Sequence, residues 1–123
     1  MTRVNVIIFY RHAAPGAGPL ETAFATIRWQ NANRQAIGFL RAGAEVGILD
    51  DLDNDNSFGQ HVRETVEALA PDGVILLGSG SIPLATAADR RAFVATAGGP
   101  PGRALANSRY SADIVAVAGA ARL

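Results

Sequence analysis

The stretch Gly73 to Val94, GVILLGSGSIPLATAADRRAFV, decides the expected fold of this chain. Its apolar residues Val74 to Leu77 are typical of a strand that is buried on both faces of a parallel sheet. A loop rich in glycine and serine follows, and it contains one proline. Thr86 and Asp89 then have the spacing of residues that cap a helix start. We therefore predict a strand, a tight loop and a helix, which together form one unit of an α/β fold.

Two strands and a helix are predicted near the start of the chain. Val4 to Tyr10, VNVIIFY, is β-branched and aromatic, which indicates a second strand buried on both faces. Apolar side chains at near-helical spacing predict a helix from about Leu20 to Arg41, and Gly43 is placed to end it. Val46 to Leu49 is a short apolar run that predicts the next strand.

A capping motif and an apolar stripe indicate a second helix. Ser57 and Gln60 have the spacing at which a hydroxyl and an amide bond to free backbone groups at a helix start. The stripe that follows is formed by Phe58, Val62, Val66 and Leu69. Pro71 and Gly73 then end the helix.

The remaining chain adds strands beyond a glycine and proline break at residues 98–102. Ala104 to Ala106 and Asp113 to Ala118 predict one or two strands. Strands therefore alternate with helices along the chain, and parallel neighbours need such crossover helices. We expect residues 1–123 to form a single α/β domain, a three-layer α/β/α sandwich with a mostly parallel, Rossmann-like sheet.

Composition narrows the function classes. The chain has no cysteine and no lysine, so a metal site must use oxygen or histidine ligands, and no lysine can bind a phosphate. Its net charge is zero, which disfavours nucleic acid and anionic lipid as partners. No apolar run approaches the roughly 20 residues of a membrane span. We expect a soluble, cytoplasmic protein.

A ligand site is expected where the strands end. In open α/β sheets ligands bind beyond the carboxyl ends of the strands. Those ends lead into four predicted segments, Arg11 to Pro19, Asp50 to Ser57, Gly78 to Ala85 and Asn107 to Ser111. A site formed by this protein should therefore combine these four segments.

The glycine and serine loop has two interpretations. Backbone N–H groups and hydroxyls of Gly78 to Ser81 could approach an anionic or sugar ligand closely. Alternatively, the glycines only permit a tight turn before Pro83. His12, in the first loop, could contact a phosphate or act as an acid or base, and the alternative is a solvated side chain. His61, on the second helix, is assigned to the surface.

The acidic loop and the arginines also carry alternatives. Asp51, Asp53 and Asp55 have calcium-loop spacing, but Asn56 and Val62 occupy the glycine and glutamate positions of that motif, which favours a polar turn with Asp50 or Asp51 facing the cleft. Arginines that flank predicted strand ends are candidate phosphate partners or ordinary surface charge: Arg11, Arg103 and Arg109. Trp29 and Phe39 are assigned to packing or to an interface.

Three stretches together resemble a known superfamily. They are SFGQHVRETVEAL, DGVILLGSGSIPLATAADRRAF and RALANSRYSADIVAV, with a fainter match in VIIFYRHAAPGAG. In order and spacing they resemble the nucleotide-diphospho-sugar transferase (GT-A) superfamily, in particular small guanylyltransferases of molybdenum-cofactor and phospholactate type. The resemblance implies a GT-A-type fold, a nucleotide or nucleotide-sugar substrate, and Mg²⁺ or Mn²⁺. It places substrate contacts at Arg11, His12, Gly16, Gly78, Ser79, Gly80 and Ser81.

The chain departs from the family pattern at the metal. The acidic residue that holds the cation in the family falls on Gly80 or Ser81, neither of which is a carboxylate. Asp51 and Asp113 are the candidate substitute ligands. Catalytic activity is therefore left open, and the alternative is a catalytically silent α/β binding or assembly module. The sequence also leaves open a homodimer and a place as the amino-terminal part of a longer domain.

Overall fold

The computed structural model describes residues 2–50, 58–107 and 114–119, which form five strands and three helices. In chain order these are β1 (Val4–Tyr10), α1 (Pro19–Arg41), β2 (Glu45–Asp50), α2 (Phe58–Leu69), β3 (Gly73–Gly78), α3 (Ala87–Ala97), β4 (Ala104–Ala106) and β5 (Ile114–Ala118). Every predicted strand and helix is present, and the bounds agree within one or two residues. The α/β character expected from the sequence is confirmed.

The sheet is mixed, with strand order β2-β1-β3-β5-β4. β1 pairs in parallel with β2 and with β3, whereas β5 is antiparallel to both β3 and β4. The expectation of a mostly parallel sheet was therefore wrong for its second half. Only residues 107–113 connect β4 to β5, and a parallel connection needs a crossover of a dozen or more residues.

The helix ends follow the sequence signals where they are described. Asp89 N–H donates to Thr86 Oγ1 at 3.2 Å, and Thr86 N–H donates to Asp89 Oδ2 at 2.9 Å, so the capping box at the start of α3 is confirmed. Gly43, two residues beyond α1, has φ of +97°, a conformation that favours glycine and that ends the helix. The predicted cap at Ser57 lies outside the described residues.

Two apolar clusters pack against opposite sides of β1, because successive side chains of a strand point to opposite faces. Val6 and Ile8 belong to the larger cluster, with Phe39 of α1 and Phe93 of α3. Ile7 belongs to the smaller cluster, with Val66 of α2 and Val74 of β3. Phe39 is fully buried, which confirms its assignment to packing.

The long helix α1 carries apolar residues around most of its circumference. Ala25, Ala32 and Phe39 are buried against the sheet, yet Ile27 and Ile37 are more than half exposed. Within residues 2–50, 58–107 and 114–119, no helix combines the length and the apolar character needed to cross a membrane.

Candidate functional site

The strand ends named by the sequence meet at one edge of the sheet. Tyr10, the last residue of β1, is paired with Asp50 at the end of β2, and Phe9 is paired with Gly78 at the end of β3. Because β5 is antiparallel to both β3 and β4, β4 runs in the same direction as β3. Asn107, directly after β4, therefore lies at the same edge, and the expected convergence of the predicted segments holds for the described residues.

The loop from Gly78 to Ser81 is closed by its own hydrogen bonds. Gly78 N–H donates to Ser81 Oγ at 3.1 Å, and Ser81 N–H donates to the carbonyl of Gly78 at 3.1 Å. Ser79 N–H donates to the carbonyl of Phe9 at 2.8 Å. Three backbone donors are thus already paired inside the protein, as expected for the tight-turn interpretation. Direct ligand contact by this loop stays a prediction.

Two amide side chains of α1 hold the carbonyl side of the same loop. Asn31 Nδ2 donates to the carbonyls of Ser79 at 2.7 Å and Ser81 at 3.0 Å. Gln35 Nε2 donates to the carbonyl of Ile82 at 2.7 Å. Both amide side chains are buried. We refer to Asn31 and Gln35 as the amide pair.

The amide pair also connects the loop to α3. Gln35 Oε1 accepts a hydrogen bond from Arg90 Nε at 3.0 Å, so one side chain joins α1, the loop and α3. The other oxygen, Asn31 Oδ1, is buried without a hydrogen-bond partner among the described residues. Sequence reasoning missed both residues. The available signal was a pair of amides four residues apart on the otherwise apolar buried face of a helix.

The loop holds one residue in a strained conformation. Ile82 has φ of +40°, which is a true outlier for a β-branched residue. Its carbonyl accepts from Gln35 and also from Ala85 N–H at 3.0 Å. Strain of this kind amounts to about 1–3 kcal/mol and persists only when the surroundings determine the conformation. Here the hydrogen bonds from the amide pair to the loop carbonyls hold Ile82 in this conformation.

A cavity of about 480 Å³ opens beside the strained residue. That volume falls within the range of small-molecule sites. The walls are mainly apolar and are formed by Ile82, Pro83, Leu84, Ala85, Asp89, Phe93 and Asn107. Leu84 is 91% exposed, so an apolar side chain stands at the opening.

Asp89 is the acidic group of that lining, and its charge is supported locally. The backbone N–H of Thr86 donates to the Asp89 carboxyl. This bond, together with the Thr86 hydroxyl beside the carboxyl, lowers the pKa of Asp89 below its ordinary value. Asp89 is exposed. The cavity therefore combines an apolar wall with a carboxylate that is ionised at neutral pH.

The first loop brings an arginine and an aromatic cluster to the same edge. Arg11 is exposed, and its carbonyl accepts from Arg28 Nη2 at 3.0 Å. Tyr10 packs edge-on against His12, with ring centres 4.5 Å apart, and against Trp29 at 5.0 Å. Trp29 thus packs on a neighbouring ring, as assigned from the sequence, although its outer surface stays accessible.

The other candidate residues are placed as follows. Arg103 comes before β4, and its carbonyl accepts from Ala118 N–H at the far end of β5. It therefore lies at the edge opposite the site, which favours the alternative assignment of Arg103 as ordinary surface charge. The remaining candidates lie outside the described residues: Asp51, Arg109 and Asp113. Across the described ranges, no group of three His, Asp or Glu side chains is placed to hold a metal ion.

Comparison with known proteins leaves the family resemblance as an expectation. No protein-family model matches the chain, and no curated protein or solved structure is detectably similar to it.

Proposed function

We propose that this protein binds a nucleotide or a nucleotide-sugar at the carboxyl ends of β1 and β3, as a nucleotidyltransferase- or glycosyltransferase-like domain. The observation that carries the proposal is the convergence of Arg11, His12 and the closed loop Gly78 to Ser81 at one edge. Ligands of open α/β sheets bind at such an edge. The cavity beside Ile82 adds volume of a suitable size.

The fold belongs to the same proposal. α1 and α3 pack on the face of the sheet that carries Val6 and Ile8, while Val66 of α2 packs beside Ile7 on the other. Helices on both faces support a three-layer sandwich of GT-A type. Within this sandwich, β5 runs antiparallel to both of its neighbours.

Each part of the site has a chemical role in the proposal. The exposed guanidinium of Arg11 can bind a phosphate through two hydrogen bonds. The chain has no lysine that could take this role. Gly16 has φ of +77°, so its turn depends on glycine. The apolar cavity would receive the base or another uncharged part of the ligand, close to Phe93.

The loop itself does not fit a divalent cation. Gly80 has no side chain, and Ser81 Oγ already accepts the N–H of Gly78. Mg²⁺ and Mn²⁺ prefer oxygen ligands, usually carboxylates with water. A metal role therefore rests on Asp51, which follows β2 in the sequence, and on Asp113, which precedes β5. We derive no reaction step through a metal.

A catalytically silent binding module is the second candidate, and the closed loop favours it. The donors of Gly78, Ser79 and Ser81 are paired within the protein, so an incoming phosphate would have to replace those bonds. A module that only binds a ligand or a partner does not need free donors at this position. Coupling between nucleotide and metal separates the two candidates.

The test is a thermal-shift panel of ATP, GTP, CTP, UTP and UDP-sugars, each with and without Mn²⁺. A ligand at 100 times its Kd adds about 2.7 kcal/mol to the free energy of unfolding. We expect a metal-dependent rise in Tm for one nucleotide, which Arg11→Ala removes and Arg91→Ala, an exposed arginine on α3, leaves unchanged. No rise with any nucleotide at millimolar concentration would favour the silent module.

A further inference from the structure

The side chain of Trp29 is exposed beside the carboxyl edge of the sheet. It packs against Tyr10, the last residue of β1, with ring centres 5.0 Å apart and ring planes at 67°. An edge-to-face contact covers at most one face of the indole, and Trp29 is 44% exposed. Helical side chains lean toward the N-terminus of their helix, and α1 starts at this edge, after the loop that follows β1. An accessible aromatic surface therefore lies where ligands of open α/β sheets bind.

The ring on which Trp29 packs is held in place. Tyr10 is buried, and its hydroxyl donates to the carbonyl of Ala25 at 3.3 Å. His12 packs on the same tyrosine ring, with ring centres 4.5 Å apart. A side chain that is already ordered by its neighbours loses little further freedom when a ligand binds to it. Trp29 is therefore suited to stack on a flat ligand group.

Arg28 fixes the first loop next to this tryptophan. Its guanidinium donates from Nε and Nη2 to the carbonyl of Arg11, at 3.3 and 3.0 Å. Arg28 directly precedes Trp29 on α1, and Arg11 lies between Tyr10 and His12 in the sequence. The residue proposed to bind phosphate is thus tied through its backbone to the helix that carries the indole. An aromatic surface and a phosphate partner are thereby held in one part of the site.

We propose that Trp29 stacks on the base of the nucleotide whose phosphate Arg11 binds. This inference rests on the proposed nucleotide-binding function, and it assigns the base to the β1 side of the site. Stacking on an aromatic side chain recognises the flat face that every base has, so it tolerates different bases. The indole therefore distinguishes a nucleotide from a sugar phosphate rather than one base from another. The cavity beside Ile82 is then left for another uncharged part of the ligand.

The first experiment is a titration of Trp29 fluorescence, which reports on one known residue because the chain has a single tryptophan. The probes are ATP, GTP, CTP and UTP. Ribose 5-phosphate, which has a sugar and a phosphate but no base, is the matched control ligand. We expect saturable quenching by the nucleotide that binds, because a stacked base contacts the indole directly. Ribose 5-phosphate should leave the fluorescence unchanged.

The second experiment separates stacking from a structural role of the same side chain. Trp29→Leu removes the aromatic surface, and the Kd for the nucleotide, measured by calorimetry, should rise by about fivefold or more. Trp29→Phe keeps a smaller ring and should recover part of that affinity. Leu40→Ala, the control, removes an exposed apolar side chain near the other end of α1 and should leave the Kd unchanged. Far-UV circular dichroism checks that each variant is folded.

The outcomes distinguish this inference from the function on which it rests. A nucleotide that raises Tm without changing Trp29 fluorescence would overturn the stacking and leave nucleotide binding intact, as would an equal Kd for Trp29→Leu and the native chain. Equal quenching by ribose 5-phosphate and by the nucleotide would assign the indole to the sugar and would also overturn the stacking. If no nucleotide either raises Tm or quenches Trp29, both proposals fail.

Discussion

The carbonyl groups of the β3–α3 loop depend on the amide pair of α1. Asn31 and Gln35 lie 46 to 50 residues away from the carbonyls they bind. They hold Ile82 in its strained conformation beside the cavity. The geometry of the candidate site is therefore set by residues outside it. Substitutions at Gln35 should lower the free energy of unfolding and change the shape of the cavity.

Replacement of Gln35 tests this dependence. Gln35→Met keeps the length of the side chain but leaves the Ile82 carbonyl and Arg90 Nε without this partner. The Ile82 carbonyl keeps the bond from Ala85 N–H, so the variant loses these two hydrogen bonds at about 0.5–1.5 kcal/mol each. We expect a total loss of about 1–3 kcal/mol by urea denaturation. The control Gln60→Met removes an exposed amide of α2 and should change stability by no more than about 0.5 kcal/mol. Equal losses for the two variants would contradict the role of the amide pair.

The amide pair could not be predicted from the sequence, whereas other residues could. Thr86 and Asp89 bond to each other across three positions, so their spacing alone reveals the cap. Asn31 and Gln35 act on a loop that reaches them only through the tertiary fold. Sequence motifs predict hydrogen bonds between residues that are close in the sequence, whereas hydrogen bonds between distant residues leave no such motif.

At the scale of elements, the capping box of α3 links stability to pH. Thr86 holds the pKa of Asp89 below its ordinary value. A lowered folded-state pKa adds stability that is fully present above the unfolded value of about 3.9 and is lost as the pH falls through the lower folded value. We expect Thr86→Ala to lower stability by about 1 kcal/mol at neutral pH.

The pH dependence of the contribution from the Asp89 charge is measured with a second variant. Urea midpoints of the native chain and of Asp89→Asn should differ at neutral pH and converge as the pH falls below that of ordinary Asp titration. Glu67→Gln, at an exposed position of α2, is the control and should not reproduce this convergence. A difference that persists unchanged in acid would show that the Asp89 charge does not stabilise the helix start.

The contact between β3 and α3 depends on one glycine. A Cβ added at Gly73 would meet the backbone carbonyl of Ala97, whereas a Cβ at Gly47 of β2 would meet nothing within 4 Å. Overpacking against backbone lowers stability by about 1–3 kcal/mol. We expect Gly73→Ala to show a loss of that size by urea denaturation and Gly47→Ala to show none. Similar stabilities for the two variants would contradict this close packing of α3 on the sheet.

Strand direction was the element-scale property that sequence patterns did not predict correctly. The apolar run of β5 looks the same whether its neighbours are parallel or antiparallel, so periodicity predicts the strand but not its orientation. Direction follows from the connection, and residues 107–113 are too few for a crossover. The length of a connection therefore predicts strand direction better than the alternation of strands and helices does.

At the scale of the whole molecule, the candidate site and the helix that supports it are parts of one arrangement. The carboxyl edge of the sheet carries Arg11, His12 and the cavity beside Ile82. Asn31 and Gln35 on the buried side of α1 donate to carbonyls of the loop at that edge. Sequence patterns predicted a site at this edge because strand ends can be located from the sequence. The supporting amides could not be located in this way, because their partners are distant in the sequence.

The most direct test of the proposed function is amide chemical-shift mapping by NMR, with each nucleotide and UDP-sugar of the thermal-shift panel in the presence of Mg²⁺. We predict that one of these ligands perturbs the amides of residues 11–18 and 78–85, while those around Gly73 and Arg103, at the opposite edge, stay unchanged. Perturbations confined to that opposite edge, or none at millimolar ligand, would contradict nucleotide binding at the carboxyl ends of β1 and β3.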